Sequence, residues 1–405
     1  MTHRIRALGT DDELLTASNV FRAAMVGFAP LTGLEPGQIA KLSEPGRVLG
    51  AFDGDELVGT TEAVGSSLTL PGGRRVPHAA VTHVGVLSSH TRRGIATALL
   101  AGQLHDIRAR GEVVATLRAS EATIYERFGY GVASTSSTVE VDRRRAVLRA
   151  GVEGGSRVRL VDPSQAWDVL PRIYSENHPS RPGSIARPAV WWQLQRLRAA
   201  GTAGARYVAV HGDPGAETGF VRYHPVDTDR WFVSEQRTIV VDDLFAPTTE
   251  AYAGLLRFLL DLDLVDRLVF TMLPLDDPLP WLLTDRRAAR VTGTRDETWL
   301  RVVDAAAALD ARTYSGPGTI TLHISDPLLQ DNSGTFEISA DGVRPSTATA
   351  ALETGPVGLA AALLGATSWR TLALAGLAKA TGPAAIALAD GLFRTDQAPH
   401  TGIYF

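Results

Sequence analysis

The chain has 405 residues, of which 44 % are hydrophobic and 21 % charged, and its formal net charge is -4. That length calls for two or three domains with proper cores, and the mild acidity gives no pull toward nucleic acid. Cysteine is absent, which excludes disulfides, thiolate metal sites and a cysteine nucleophile and suits a cytoplasmic protein.

The first residues, MTHRIRALGTDDE, lack the apolar core of a leader peptide. Residues 11–28 read as a helix. Val48–Phe52 and Leu57–Val64 read as strands paired around the turn DGDE. Ala79–Val86 is a long apolar strand. Gly94–Arg110 is an amphipathic helix with Ile95, Leu99 and Leu104 on its apolar face. Val113–Leu117 reads as a buried strand, and Ala122–Phe128 as a short helix closed by Gly-Tyr-Gly at 129–131. Ser136–Val141 returns as a strand. Residues 1–145 thus predict a mixed α/β unit.

A charged, glycine-containing stretch at 145–156 marks a boundary, and over 146–290 the pattern repeats. Arg206–Val210 and Phe220–Tyr223 flank a turn. Thr238–Val241 resembles Val81–Val86 and leads through DDLFAPTT (242–249) into a helix at Ala251–Asp261. Two aspartates and a proline stand where the first unit has arginines and a glycine. An anion would be repelled there, so this unit reads as a degenerate duplicate that builds structure or pocket walls. Trp191 and Trp192, in a helical stretch, read as core or interface.

The third region, 291–405, opens with a strand end and an Ala-rich helix over Trp299–Arg312. A hairpin of Gly318–Ile324 and Gly334–Ser339 follows, then helices at 356–364 and 369–378, Ala384–Phe393 and the tail HTGIYF. This is an α+β pattern with an apolar groove. Its most apolar run, 354–369, is too short for a membrane span and lies between Glu353 and Arg370, so no membrane partner is expected. No low-complexity linker separates the regions, which predicts a tightly packed protomer.

The segment Val84–Leu100, VGVLSSHTRRGIATALL, carries the chemistry. A strand runs into a turn with two arginines and a glycine, then into a helix. Unpaired N–H groups at a helix start beside guanidinium groups hold pyrophosphate. Small residues at 94 and 96 let phosphates approach the backbone, and the edge Val84-Gly85-Val86 is able to pair with an extended ligand arm as with another strand. The alternative is a solvated arginine pair at an ordinary helix start. No HExxH pair, phosphate loop or GxSxG elbow is present, so zinc hydrolysis, kinase-like chemistry and a serine elbow are not expected, nor is a metal.

The run Val86–Ala96 resembles the acetyl-CoA loop of the GCN5-related N-acetyltransferases: an apolar strand, Arg or Gln, two residues, Gly, one residue, then Gly or Ala. Gly94 and Ala96 match; Thr91 stands in the Arg/Gln slot, and Ser88 replaces a common proline. The longer stretch Arg118–Ala133, RASEATIYERFGYGVA, resembles the Eis (enhanced intracellular survival) branch. That likeness covers the whole chain. It implies tandem acetyltransferase folds, the second degenerate, followed by a sterol-carrier-protein-like α+β domain.

The resemblance further implies acetyl-CoA as co-substrate, acetyl transfer to amines of small polycations such as aminoglycosides or to lysine side chains, and a homo-hexamer. It carries cofactor contacts onto Val84, Gly85, Val86, Arg92, Arg93, Gly94, Ile95, Ala96, Thr97, Ser120 and Glu121. It makes Tyr125 the general acid and the C-terminal carboxylate of Phe405 the general base. A phenol, with a pKa of about 10, is protonated at neutral pH and suits the first role. An α-carboxyl, near ~3.5, is a feeble base unless buried, or else holds the ammonium and relays its proton. Tyr125 also reads as a core aromatic and Phe405 as a frayed tail. His83 either lines the amine pocket or is a structural histidine; Glu121 either attracts a cationic substrate or caps the helix after it. Two other functions stay open: a lipid carrier working through the C-terminal groove, and a protein-lysine acetyltransferase.

Overall fold

A computed structural model describes residues 3–201 and 204–405; Met1 and Thr2, the start of the stretch read as lacking a leader, and Thr202 and Ala203 lie outside it. Strands β1 to β6 are Arg4–Ala7, Val48–Asp53, Glu56–Thr69, Arg75–Val86, Val114–Leu117 and Gly131–Asp142. Strands β7 to β12 are Val158–Val161, Tyr207–His211, Gly219–Pro225, Thr238–Phe245, Arg267–Pro274 and Ala289–Val302. All twelve form one sheet in the order β1-β2-β3-β4-β5-β12-β6-β11-β10-β9-β8-β7. Renumbering each strand by six and reversing the direction reproduces that order, so the two halves are related by a pseudo-two-fold. The parallel neighbours, β4–β5 and β10–β11, obey the same relation.

Each half lends a strand to the other. β12 lies between β5 and β6, and β6 lies between β12 and β11. The junction therefore has no free sheet edge. β12 runs through residue 290, where the sequence suggested a boundary. Arg290–Asp296, in its first half, is exposed and polar apart from Val291, so an apolar signal begins only near Trp299.

Helix α1, Asp11–Ala24, starts in a capping box of Thr10 and Glu13, buries Leu14, Ala17 and Val20, and ends short of the expected 28. Helix α2, Ile95–Ala109, buries Ile95, Leu99, Leu100, Leu104 and Ile107. The helix expected over 122–128 divides into α3, Ala122–Tyr125, and a 3₁₀ turn at Glu126–Phe128. Gly129, at φ 84, ends that turn. A Cβ on Gly131 would strike the carbonyl of Val357. The Gly-Tyr-Gly stretch is thus a turn and also the seat on which helix Pro356–Leu363 approaches β6.

Helices α4 (Pro163–Glu176), α5 (Ala189–Ala200) and α6 (Thr249–Leu260) belong to the second half. The third unit is a five-stranded sheet of β13 to β17: Thr319–Ile324, Gly334–Ser339, Gly342–Ser346, Leu352–Thr354 and Ala378–Ala380. Its order is β15-β14-β13-β16-β17. Ile320, Leu322, Ile338, Leu359, Leu363, Trp369 and Phe393 fill its interior. Arg301 of β12 reaches into this unit and pairs with Asp326 at 2.6 Å, both side chains 1 % exposed.

Candidate active site

β4 and β5 pair only over His78–Ala80 against Val114–Thr116. Beyond that point the strands part and leave a wedge. On its other side β4 pairs with β3, and the register slips between Thr60 and Glu62. The extra residues bulge at His83 and Val84, and His83 sits at φ 49, a costly place for a residue with a Cβ. The wedge holds a cavity of about 140 Å³ lined by Thr82, His83, Val84, Ser120, Tyr125, Ile403 and Phe405 among others. Phe21, Thr82, His83 and Phe405 also line a basin of about 810 Å³ enclosed by α1, the loop after it and α5. A narrow inner chamber thus opens onto a wide outer one.

Val84, Gly85 and Val86 continue β4 past its last pair with β5, along the wedge. Gly85 faces α1, where a Cβ would come within 3.0 Å of Phe21 Cα. The turn after β4 carries two left-handed residues, Arg92 at φ 62 and Gly94 at φ 80. Gly94 is the N-cap of α2 and supplies no side-chain cap, so the N–H groups of the first turn, Ile95 to Thr97, are left uncapped, as an anion site requires. The Ile95 side chain is buried and offers only its backbone, while Thr97 is exposed. Arg92 is exposed. Arg93 lies 3.4 Å from Asp53 and donates to the Ser89 carbonyl at 3.2 Å.

The matching turn of the second half is built differently. Asp242–Phe245, expected in the turn, continue β10. Asp243 is buried in a bidentate pair with Arg187, at 2.7 and 3.0 Å, and Asp242 pairs with Arg206 and His224. These aspartates are neutralised by partners, so their charge is not what closes the turn to an anion. Thr248 closes it, because its own side chain caps α6 by accepting from Ala251 N–H at 3.2 Å.

Tyr125 is 4 % exposed. Burial pushes its phenol above the ordinary value; a hydrogen bond with Ser120 opposes that, and the charge of Glu121 adds to it. Its ring meets Tyr130 edge-on. Glu121 stands at the N-cap of α3 but makes no capping bond, so the capping alternative fails. It is exposed and contributes charge instead.

The tail is not frayed, because a buried acid holds it. Glu297, 1 % exposed, accepts from Thr401 N–H at 3.2 Å, Gly402 N–H at 2.9 Å and Ser134 Oγ at 2.7 Å. His400 Nδ1 lies 3.1 Å and Arg118 3.4 Å from it. Burial alone would raise this carboxyl, but His400, Arg118 and the Gly402 N–H outweigh it and bring it down to about 2. Arg118 also donates to the Ile403 carbonyl at 2.7 Å and lies over the Tyr404 ring at 4.0 Å. Trp191 Nε1 donates to the Tyr404 carbonyl at 2.5 Å. The chain end is thus delivered into the wedge with the Phe405 ring against Val64, Ala80 and Val190. Glu297, Arg118 and Glu62 carry no local signature in the sequence, where His83 reads equally as pocket wall or structural histidine.

The acetyltransferase (GNAT) domain family matches residues 5–133 and, through a second GNAT family, 183–302; the sterol carrier protein domain family matches 305–402. The chain is 35 % identical, over 88 % of each chain, to the N-acetyltransferase Eis of Mycobacterium tuberculosis. It belongs to the Eis family of N-acetyltransferases. A protein of Streptomyces avermitilis, named as an N-acetyltransferase, is 35 % identical over 98 % of each chain. The crystal structure of Eis1 from Mycobacterium abscessus is 46 % identical and covers 100 % of both chains with a TM-score of 0.92. Like its Eis relatives the chain is an acyltransferase, with two GNAT domains followed by a sterol-carrier-like domain. That membership implies acetyl-CoA as co-substrate and a small-molecule acceptor. No described helix is long and apolar enough to cross a membrane.

Proposed function

We propose that the wedge transfers an acetyl group from acetyl-CoA directly to an amine seated in the outer basin, with Tyr125 as general acid and the terminal carboxylate of Phe405 as general base. The observation that carries this reading is that Tyr125, Phe405 and the strand edge at Val84 line one cavity. The amine lone pair attacks the thioester carbonyl carbon, the C–S bond breaks, and the sulfur leaves with a proton from the Tyr125 phenol. The nitrogen sheds its proton toward the Phe405 carboxylate. A backbone N–H of Val84–Val86 faces the developing oxyanion. No cysteine is present to carry an acyl intermediate.

Arg92, Arg93 and the N–H groups of Gly94 to Thr97 would hold the diphosphate of the co-substrate. Val84–Val86 would pair with its pantetheine arm, and Ser120 and Glu121 supply a second contact. The open first turn of α2 fits an anion, whereas α6 is closed by its own threonine. Polycationic acceptors such as aminoglycosides, lysine side chains as a second acceptor class, a homo-hexameric assembly and a cytoplasmic location rest on resemblance to the family.

The test is thiol release from acetyl-CoA with a panel of amines, with product masses counting the amines modified. Thiol release in step with acetylated product is expected. Failure of the folded protein to take up acetyl-CoA in calorimetry overturns the reading.

A further inference from the structure

We propose that a cleft in the second half, between the start of α4 and the end of α5, binds a small organic carboxylate with an apolar body. This site is separate from the wedge and does not depend on the transferase reading above. The cleft has a volume of about 400 Å³ and reaches the sheet at Val208 of β8 and Arg222 of β9. Helix α5 stands between it and the outer basin. Leu194, Leu197 and Arg198 line the basin, whereas Arg196, Ala199 and Ala200 line the cleft.

Three guanidinium groups line the cleft, those of Arg196, Arg206 and Arg222, against the single carboxylate of Asp242 among the described residues. Asp242 is already engaged: its Oδ2 lies 3.1 Å from Arg206 Nη1 and 2.9 Å from His224 Nδ1. Arg206 Nε is buried and has no partner among the described residues. The Arg222 guanidinium lies over the Trp167 ring at 4.6 Å and makes no side-chain hydrogen bond among the described residues. Burial foremost brings its pKa below the ordinary value, against the charges of Asp243 and Asp242. Asp243 is spent on Arg187, at 2.7 and 3.0 Å. A desolvated guanidinium with no oxygen partner is costly, and a planar carboxylate answers it with two parallel hydrogen bonds. Pro163, Trp167, Ala199, Ala200 and Val208 offer the body of the ligand an apolar seat. The Ser164 hydroxyl donates to Asp162 at 2.6 Å, and the rings of Tyr207 and Tyr223 stack on each other at 5.3 Å, so neither supplies the missing acceptor.

The experiment is titration calorimetry of the full chain with 2-naphthoate as the probe. A Kd of about 0.1 mM is expected, weakening as salt rises. 2-Naphthol, which lacks the anion, and acetate, which lacks the body, are each expected to bind about tenfold more weakly or worse. Arg222→Gln is expected to weaken 2-naphthoate by tenfold or more. Arg196→Glu, at an exposed position where the fold is not at stake, is expected to weaken it about tenfold with the Tm unchanged. Arg92→Ala with Arg93→Ala is expected to bind the probe as the parent does. No uptake of 2-naphthoate by the parent, or unchanged affinity in Arg196→Glu, overturns the proposal. Loss of binding in the Arg92, Arg93 variant also overturns it, because the anion then sits at the start of α2. None of these results bears on acetyl transfer, which thiol release reads separately.

Discussion

His83 Nδ1 lies 2.6 Å from Glu62 Oε2 at the neck between the inner cavity and the outer basin. Glu62 is 3 % exposed, and its Oε1 is buried without a partner. The carboxylate fixes the imidazole with Nδ1 as donor and leaves Nε2 as acceptor, the arrangement by which an acid orients a histidine base. In the proposed reaction His83 would offer the amine a second proton acceptor beside the terminal carboxylate. His83→Gln is expected to lower kcat by about 100-fold and to leave acetyl-CoA affinity unchanged. Glu62→Gln keeps the side-chain shape and is expected to cost about tenfold. Stopped-flow turnover and calorimetry check both. Unchanged kcat in His83→Gln makes the pair a structural one.

In the proposed reaction Tyr125 is the group whose acidity would bear most directly on the leaving sulfur. Its phenol is held above the ordinary tyrosine value by burial. An acid must be protonated to act, so a raised pKa moves the alkaline loss of activity upward, beyond about pH 10. Tyr125→Phe is expected to lower kcat about 100-fold at neutral pH and to remove that alkaline limb. Ser120→Ala deletes the hydrogen bond that opposes the rise, so the limb moves further up. A pH–kcat profile of the three proteins decides the matter.

Arg92 and Arg93 flank the open start of α2. Arg92→Ala with Arg93→Ala removes two guanidinium charges from an exposed turn, so little stability is lost. Acetyl-CoA binding is expected to weaken by tenfold or more, and the affinity that remains becomes less sensitive to salt. At saturating co-substrate kcat stays near the parent value. Titration calorimetry at two ionic strengths checks it. Unchanged affinity removes the arginines from the diphosphate contact.

The first unit was largely legible because its strands are apolar runs between turn residues. The apolar runs Ala79–Val86 and Val113–Leu117 coincide with β4 and β5 to within a few residues. β6 begins at Gly131, ahead of the expected Ser136; GVAST is small and lacks alternation. Asp242 and Asp243, expected in the turn DDLFAPTT, are instead satisfied by ion pairs inside a strand. The site is less local than any such pattern. Tyr125 and Phe405 stand far apart in the chain and meet in one cavity. The strand exchange that brings Glu297 under the tail is a property of topology, which periodicity does not encode.

Glu297 connects the acid stability of the protein to the position of its chain end. Its carboxyl falls from 4.5 to about 2 on folding. A depressed carboxyl contributes stability that is complete above its unfolded value and is lost as pH falls through the folded one. The window is therefore pH 4.5 down to about 2, and the contribution is about 3 kcal/mol. Glu297→Gln is expected to lower the Tm at neutral pH, to flatten that acid limb, and to reduce kcat by releasing Thr401 and Gly402. Thermal melts from pH 7 to 2.5 with parallel assays read both effects. A lower Tm with kcat intact would uncouple the anchor from the reaction.

The charge at the chain end is separable from the ring that carries it. Arg118 and Trp191 hold the carbonyls of Ile403 and Tyr404, and the Phe405 ring packs 6.5 Å from that of His78. His78 is held neutral here, because burial foremost and the charge of Arg47 bring its pKa down to about 3, so it adds no cation beside the carboxylate. One glycine appended after Phe405 leaves every one of those anchors in place and moves only the carboxylate, by about 3.5 Å. That extension is expected to lower kcat about 100-fold with acetyl-CoA affinity unchanged. Phe405→Ala keeps a terminal carboxylate but loosens its seat, and is expected to raise KM for the amine more than it lowers kcat. Full activity in the extended protein would take the carboxylate out of proton transfer and leave His83 as the acceptor at the neck.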